Sequence, residues 1–384
     1  MKKEFVEISL IISVFAVITY SIWIFTNNYS SAYVDDNKEE ITVKAPDWDV
    51  TPISQITYEE YNGLFELPIN GATGYAAIKI DVKDVPSEEA NTILTLKAGQ
   101  GFTIISESND YFYISVNDVK GYILHKNAFI NLPDVLPSII YNDTNGKASI
   151  MKSSEKSIKN VTNEKLYDNY TYNDRLEKDE YIMPVLYNMA KKIAVAQKEA
   201  LKNNETLIIY ESYRPYETQK RIVNNLGILA SEDEDVYNGL NASPWSMTWF
   251  VSTKVSNHQK GLAIDVSLGK VKDVSEKIVG NYKVKDITSY EEYNMPTKMH
   301  ELSIKAVRFT TPVYSHSKTA WQKAKFTKAM ENNLPAQRLQ NYCTNAGLTP
   351  LASEWWHYND LDSLSKDNGK GNFTLSKVYS VIPQ

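Results

Sequence analysis

Cysteine is nearly absent from this sequence, and positive charge is not in excess. Cys343 is the single cysteine among 384 residues, so the chain cannot close an intramolecular disulfide bond. No histidine lies beside Cys343 to form a nucleophilic pair, and we expect a buried structural thiol. The formal net charge of −6 argues against a nucleic-acid-binding protein, which needs a basic face. Internal repeats and low-complexity tracts are also missing.

The composition is otherwise that of an ordinary globular protein. Hydrophobic residues make up 42% of the chain and charged residues 23%, which is enough apolar material for a substantial core. The length allows two or three domains. Tyrosine is abundant, with 26 copies, and its apolar ring and hydroxyl suit sugar and peptide surfaces as well as ordinary cores.

The N-terminus predicts a membrane anchor. Residues 6–25 are apolar or small and neutral apart from Glu7, and a helix of this length spans about 30 Å of hydrocarbon. Lysines precede the run, whereas no Lys or Arg follows it until Lys38, so residues 1–5 are predicted to be cytoplasmic and the residues after 25 extracellular. The alternative is a cleaved signal peptide with a weak cleavage site near Ala32. Both interpretations predict export of the bulk of the chain.

Two regions follow the anchor. Residues 26–70 are mostly polar and irregular, which indicates a linker. Between residues 71 and 133, short apolar runs alternate with turn residues every ~8–12 positions, a pattern typical of a small all-β barrel or sandwich.

The passage from Leu96 to Phe129 resembles the bacterial SH3-like domain. A turn of small residues and glycine, an aromatic strand and a final Gly-Tyr-Ile strand recur in that family. Such domains commonly bind peptidoglycan, so the resemblance implies wall contacts from Tyr111, Tyr113 and Tyr122. The alternative is that these tyrosines belong to the core or ordinary surface of the barrel.

A larger mixed domain is predicted to occupy residues 165–384. Residues 134–164 are expected to connect it to the barrel, with a hairpin around Asn145-Gly146. The pattern after residue 165 is typical of an α+β domain. Its expected elements are a helix over 183–202 with Pro184 in the first turn, a buried strand over 207–213, a helix over 215–227 closed by Gly227, and a helical pattern over 320–346.

Three short segments of this domain contain residues suited to catalysis. They are SNHQKGLAIDVSL with Ser256, His258 and Asp265, SEWWHYND with Glu354, Trp356 and His357, and ESYRPYETQ with Tyr213, Arg214 and Gln219.

The chemistry of these residue types points to zinc. A catalytic zinc ion takes three protein ligands and a water, and His258, Asp265 and His357 form such a set. Glu354 remains as a carboxylate that can move the proton of the water, and Arg214 is a permanent cation that can bind an oxyanion. Taken one at a time, each His–carboxylate pair is more typical of a structural hydrogen bond, and composition alone does not select this set.

Together, the segments resemble the VanX/VanY group of zinc D-Ala-D-Ala peptidases. The family patterns are Ser-x-His-x-x-Gly-x-Ala-x-Asp and Glu-x-Trp-His, with a Tyr-Arg segment upstream, and they occur here in the same order over about residues 165–360. The matching positions are Ser256, His258, Gly261, Ala263 and Asp265, then Glu354, Trp356 and His357, and upstream Tyr213 and Arg214.

The resemblance implies a role for each residue. Zn²⁺ would be bound by His258, Asp265 and His357, with Glu354 as the general base and Arg214 stabilising the transition state. The expected substrate contacts are Ser256, Tyr213, Gln219 and Trp356.

The expected function is that of a zinc D-Ala-D-Ala carboxypeptidase that trims peptidoglycan stem pentapeptides outside the cytoplasmic membrane. The segments around GLAIDVSL and EWWHY look closer to the dipeptidase branch, whereas export and a wall-binding module favour the carboxypeptidase branch. Alternatives are a D-Ala-D-Ala dipeptidase, an L,D-carboxypeptidase, a cell-wall endopeptidase or an inactive wall-binding protein. The sequence does not indicate an oligomeric state.

Overall fold

The computed structural model describes residues 57–369 and 371–375 as one mixed α/β unit in which strands predominate. The predicted membrane segment 6–25 and the predicted linker up to residue 56 lie outside the described residues. Within the described part, no helix has the length and apolar character needed to cross a membrane.

The secondary structure of the described residues begins near the end of the predicted linker. The strands are β1 (Glu59–Glu60), β2 (Thr73–Ala76), β3 (Ile80–Lys83), β4 (Thr92–Leu96), β5 (Gly101–Ser108), β6 (Tyr111–Val116), β7 (Val119–Leu124), β8 (Ala128–Asn131), β9 (Ile140–Tyr141), β10 (Lys152–Ser153), β11 (Lys156–Ser157), β12 (Tyr170–Asn173), β13 (Lys178–Tyr181), β14 (Pro184–Leu186), β15 (Glu205–Glu211), β16 (Ala263–Val279), β17 (Tyr282–Glu292), β18 (Thr349–Pro350) and β19 (His357–Asn359). The α-helices are α1 (Tyr187–Lys202), α2 (Tyr216–Glu232), α3 (Glu234–Asn241), α4 (Met247–Phe250), α5 (Lys328–Glu331) and α6 (Leu334–Asn345). The 3₁₀ turns are His125–Asn127, Leu132–Asp134, His258–Lys260, Ile304–Ala306 and Ala320–Lys323.

Eight antiparallel strands form the first sheet, in the order β14-β8-β2-β5-β6-β7-β3-β4. Alternation along β6 explains its two faces, because Phe112, Ile114 and Val116 are buried while the residues between them are partly exposed. On the outer face, the rings of Tyr113 and Tyr122 pair with centroids 4.8 Å apart. This sheet therefore has one packed face and one face with partly exposed aromatic rings.

The last strand of this sheet comes from the region predicted to be the start of a helix. Pro184–Leu186 pairs with β8, with Val185 opposite Ile130, and the helix begins only at Tyr187. Proline has no N–H to donate to a neighbouring strand, so it is confined to edge strands such as this one. The expectation that Pro184 lies in the first helical turn is wrong, since pairing with β8 takes this residue into the sheet.

The second sheet, which we call the central sheet, has the order β1-β17-β16-β15-β9. Strand β19 also pairs with β16, and β18 pairs with β19. Every residue of β15 is buried, as expected for a hydrophobic central strand, although it spans 205–211 and not 207–213. Helix α1 packs on β15 and on α6 through the predicted face of Met189, Ile193 and Ala196. Cys343 is buried in α6, and burial raises the pKa of its thiol to about 12.

Three other predicted boundaries differ from the structure. No hairpin forms around Asn145-Gly146, because Ile140–Tyr141 pairs in parallel with β15. Helix α2 continues through Gly227 to Glu232, since a glycine at normal helical angles weakens a helix without ending it. The helical pattern over 320–346 is broken into a 3₁₀ turn, α5 and α6, and a proline stands in the first turn of α6.

The end of the predicted linker is already part of the fold. Phe65, Leu67 and Ile69 are buried, and the backbone N–H groups of Glu66 and Leu67 donate to the carbonyl of Val135. The linker predicted over 26–70 is therefore too long at its C-terminal end, because alternating polar residues conceal these apolar side chains.

A buried polar network takes the place of the predicted hairpin. Asp143 accepts hydrogen bonds from the backbone of Gly146 at 2.7 Å, from the amide of Asn169 at 2.6 Å and from the hydroxyl of Tyr167 at 3.1 Å. Tyr167 also donates to Glu211 at the end of β15. The network ties the segment after β9 to the central sheet, and burial together with the charge of Glu211 raises the pKa of Asp143 to about 7.

We expect Asp143→Asn to gain stability relative to the wild-type protein as the pH rises from 5 to 8. In the unfolded chain this carboxyl ionises near pH 3.9, so the folded wild-type protein holds a proton that the unfolded chain has released. Wild-type stability therefore falls between about pH 4 and pH 7, and asparagine removes that loss. The relative gain, on the order of 3 kcal/mol, is measured by urea unfolding at each pH.

Asp168→Asn is the control for the change in net charge, because Asp168 is exposed and lies outside the network. An equal stability difference between Asp143→Asn and wild type at pH 5 and pH 8 would contradict the burial effect.

Candidate metal centre

The central sheet places three acidic or imidazole side chains in one row. Asp265 near the start of β16 is paired with Glu211 on one side and with His357 on the other. Directly paired residues point to the same face of a sheet, so the three side chains are neighbours although they are far apart in sequence. A bulge in β15 between Ile209 and Glu211 brings Glu211 into this register.

His258 reaches the same point from a 3₁₀ turn that precedes β16. The turn ends at Gly261, whose φ of +64° is a left-handed conformation that favours glycine. A Cβ at Gly261 would lie 2.5 Å from the ring of Phe129 and 3.0 Å from the backbone nitrogen of Leu186, which donates to the carbonyl of Gly261 at 2.8 Å. The first sheet thus packs directly against the loop that holds His258.

Three donor atoms from His258, Asp265 and His357 form a triangle. Nε2 of His258 lies 3.2 Å from Nδ1 of His357 and 3.5 Å from Oδ1 of Asp265, and the third edge is 3.0 Å. Ligands of a tetrahedral zinc ion with bonds of about 2.0–2.1 Å are about 3.3 Å apart. The triangle therefore has the dimensions of one face of a zinc coordination sphere.

The other nitrogen of each imidazole has a fixed partner. Nδ1 of His258 donates to the backbone carbonyl of Ser212 at 2.7 Å, and Nε2 of His357 donates to Oδ1 of Asn359 at 3.0 Å. The amide of Asn257 donates to the same Oδ1 at 2.8 Å, which fixes the orientation of Asn359. These hydrogen bonds turn the remaining nitrogen of each ring toward the centre of the triangle. Two ring nitrogens and a carboxylate oxygen that converge in this way need a proton or a metal cation between them, so the donor set fits Zn²⁺.

Asp265 is held by a second set of donors. Its Oδ2 lies 3.0 Å from Nε2 of His300 and 3.6 Å from the guanidinium of Arg214. Burial alone would raise the pKa of Asp265, but the ring of His258 and hydrogen bonds from all three histidines outweigh burial and hold the pKa well below its usual value. The carboxylate is therefore ionised and oriented, as a metal ligand must be.

His300, which contacts Asp265, has a strained backbone conformation. Its backbone has a φ of +60°, and its side chain is fully buried against the edge of Trp356 with ring centroids 5.9 Å apart. Nδ1 of His300 lies 3.2 Å from the hydroxyl of Thr144. A strained, buried histidine that contacts a metal-ligand candidate orients that ligand through its ring nitrogen.

Glu211, Asp265 and His300 form a second group with the spacing of a metal site. Arg214 already supplies the cation there, because its Nε donates to Glu211 at 3.0 Å and its Nη2 forms a further short contact with the same carboxylate. Burial opposes ionisation of Glu211, but Arg214 outweighs it and lowers the pKa of Glu211. The guanidinium is thus a fixed positive charge beside the triangle.

Gln219, predicted to contact substrate, supports Arg214 in the structure. Its Oε1 accepts from Nη1 of Arg214 at 2.7 Å, and its Nε2 donates to the carbonyl of Ser252 at 2.8 Å. Both ends of the amide are used within the protein, so Gln219 orients the guanidinium.

Glu354 lies next to the triangle, as its predicted role as a base requires. Its Oε2 is 3.6 Å from Nδ1 of His357 and the side chain is buried. Burial raises the pKa of Glu354, the imidazole of His357 only partly offsets this effect, and the resulting pKa is about 8. The carboxyl therefore holds its proton at neutral pH unless a cation binds beside it.

A cleft of about 290 Å³ opens over these residues. Ser256 and Trp356 both line it, and the buried Oγ of Ser256 has no hydrogen-bond partner among the described residues, which suits a group that meets a ligand. Trp356 is nevertheless only 1% exposed. Ser256 is thus the better placed of the two for a polar substrate contact.

Tyr213 does not line the cleft, contrary to its predicted substrate contact. It is buried, its hydroxyl donates to the carbonyl of Phe373 at 3.0 Å, and its ring stacks on that of Phe373. The ring of Tyr213 belongs to a cluster of buried side chains with Phe129, Leu186 and Leu262.

The sequence motifs assign no role to Glu211, His300 or Asn359. Glu211 and Asn359 carry a detectable signal, because Glu211 stands three residues before Arg214, and Asn359 stands two residues after His357 on the same face of a strand. His300 lies between the two metal-ligand segments in the sequence, but its contact with Asp265 depends on the tertiary fold.

Comparison of the chain with protein-family models and with curated proteins found no match in either case.

Proposed function

We propose that the protein is a zinc-dependent peptidase whose metal is held by His258, Asp265 and His357. The observation that carries this proposal is the triangle of donor atoms, with edges of 3.0–3.5 Å, at the base of an open cleft. A structural zinc site is usually closed by a fourth protein ligand, whereas this triangle faces the cleft. The arrangement favours catalysis over structural stabilisation.

The reaction we propose is hydrolysis of a peptide bond. When bound, zinc would supply Lewis-acid activation of water and of the substrate carbonyl. Glu354 takes the proton of the attacking water and passes it to the leaving amine as the C–N bond breaks. Arg214 donates to the carbonyl oxygen as negative charge develops there, since only three of its five N–H donors are engaged by Glu211 and Gln219 among the described residues.

The substrate we propose is the D-Ala-D-Ala end of a peptidoglycan stem pentapeptide. The order and spacing of the Ser256–Asp265 and Glu354–His357 motifs support this class, because they resemble those of the VanX/VanY peptidases. The predicted anchor at 6–25 supports an extracellular site tethered to the cytoplasmic membrane. The paired rings of Tyr113 and Tyr122 on the outer face of the first sheet support wall binding.

A free D-Ala-D-Ala dipeptide is the second candidate substrate. The cleft volume of about 290 Å³ accommodates two small residues, so a dipeptide and the end of a longer peptide can both enter. Tethering favours the longer peptide, because polymer is concentrated at the membrane surface and a free dipeptide is not.

The metal assignment predicts different losses for two neighbouring substitutions. We expect the purified protein to contain about one zinc per chain, His357→Ala to lose it, and Glu354→Gln to keep it while turnover falls ~10²-fold or more. The reason is that His357 is a ligand, whereas Glu354 acts only on water. Metal content and peptide hydrolysis are measured on the same preparations.

Wild-type protein that binds zinc without hydrolysing any stem peptide would indicate a wall-binding protein. Zinc retained by His357→Ala but lost from Glu354→Gln would reverse the two roles.

The position of Arg214 predicts an effect on the transition state. Arg214→Lys keeps the charge beside Glu211 but loses the planar fork, so we expect kcat to fall at least ~10-fold with little change in KM. Arg338→Lys is the matched control, because Arg338 holds the buried Glu205 through Nε and Nη2 in the same way and lies outside the cleft. Equal kcat values for both variants would remove Arg214 from the mechanism.

Competition between two substrates tests the proposed specificity. We expect the pentapeptide ending in D-Ala-D-Ala to exceed free D-Ala-D-Ala in kcat/KM and to yield a tetrapeptide and D-Ala. A dipeptide preference above tenfold, equivalent to about 1.4 kcal/mol of transition-state binding, would assign the protein to the dipeptidase class. Cleavage at an internal stem bond alone, identified by mass spectrometry, would exclude both.

A further inference from the structure

Arg308 is a fully buried arginine that forms no ion pair among the described residues. Burying an unpaired charge is costly, so such a residue persists only where its hydrogen bonds are needed. Arg308 lies between α6 and the segment 351–358, and its guanidinium stacks on the ring of Tyr358 at 4.6 Å. Arg308 therefore connects helix α6 to the segment that carries Glu354 and His357.

The guanidinium donates to three backbone carbonyls of that segment. Nε donates to Leu351 at 3.1 Å, and Nη2 donates to Trp355 at 2.5 Å and to Glu354 at 3.3 Å. The segment from Leu351 to Trp355 contains no strand or helix, so these carbonyls have no ladder to satisfy them. A single side chain thus holds the backbone at both ends of the turn.

The other end of Arg308 is fixed to the core. Nη1 donates to Oε1 of Gln340 on α6 at 2.7 Å and to the hydroxyl of Tyr358 at 3.0 Å. The backbone adds two bonds in the same place, from Arg308 N to the carbonyl of Ala352 at 2.9 Å and from Trp355 N to the carbonyl of Ala306 at 3.2 Å. These contacts therefore fix the position of the turn relative to α6 and β19.

We propose that Arg308 is a positioning residue for the metal centre, which fixes the Glu354 carboxyl and the His357 ring relative to each other. Glu354 and His357 are three residues apart, with Oε2 and Nδ1 separated by 3.6 Å, and Arg308 holds two of the three peptide units between them. This inference rests on the proposed metal-dependent function. It assigns to Arg308 an effect on both metal affinity and proton transfer, without contact with metal or substrate.

Arg308→Lys tests the proposal, because lysine keeps the charge but cannot reach Leu351, Trp355 and Gln340 at once. Zinc affinity is measured by competition with a chromophoric chelator, and kcat and KM are measured with the stem pentapeptide. Arg175→Lys is the matched control, since Arg175 is a largely buried arginine whose Nη2 donates to the carbonyl of Pro68, and it does not line the cleft.

We expect Arg308→Lys to weaken zinc affinity ~10-fold or more and to lower kcat by a similar factor with KM little changed, as is usual when the partners that orient metal ligands are removed. Arg175→Lys is expected to lower the melting temperature without changing zinc affinity or kcat. The loss in kcat should also disappear when Arg308→Lys is combined with Glu354→Gln, because the effect on proton transfer acts through Glu354.

Unchanged zinc affinity and kcat in folded Arg308→Lys protein would overturn the proposal, and so would equal losses in Arg175→Lys. Wild-type protein that binds no zinc would instead refute the proposed function. Should Arg308→Lys fail to fold, Gln340→Leu replaces it, because it removes one anchor of Nη1 and leaves the turn intact. A smaller loss of zinc affinity in the same direction then supports the inference, and no loss overturns it.

Discussion

The carboxylate of Asp265 is the group on which the candidate centre depends. One oxygen lies 3.0 Å from His357 and 3.5 Å from His258, and the other lies between His300 and Arg214. Because this carboxylate is buried, its charge is sustained only by the imidazoles and the guanidinium around it. Two proposed metal ligands, the guanidinium of Arg214 and the strained residue His300 all contact this one carboxylate.

The central sheet achieves this convergence through register. Glu211, Asp265 and His357 come from three strands that are adjacent in space, and their pairing alone places the side chains on one face. His258 and Glu354 lie outside the strands, so strand pairing does not fix their positions. Individual contacts place them instead. Gly261 and Arg308 are the residues that make those loop conformations possible.

Local patterns predicted much of this site and less of the fold. The motif residues His258, Asp265, Glu354 and His357 do lie together, and the apolar face of α1 and the buried strand β15 follow from periodicity. Pairings between distant segments could not be read in the same way. Pro184 looks like a helix start until β8 is placed beside it, and Ile140–Tyr141 looks like half of a hairpin until β15 is present. Arg308 carries no sequence signal, because three of its partners are backbone carbonyls and its side-chain partners, Gln340 and Tyr358, are distant in the sequence.

The position of β14 late in the sequence has a consequence for the order in which the chain can fold. Seven strands of the first sheet lie within residues 73–131, but the eighth comes from residues 184–186, about 50 residues further along the chain. As the chain is synthesised, β8 remains an open edge until β14 is present, and the backbone N–H and C=O groups along this edge can pair with another chain. Protection of this edge arrives only with the residues that lead into α1. Between the two events, the newly made chain therefore carries an additional unpaired strand edge, a feature that favours aggregation.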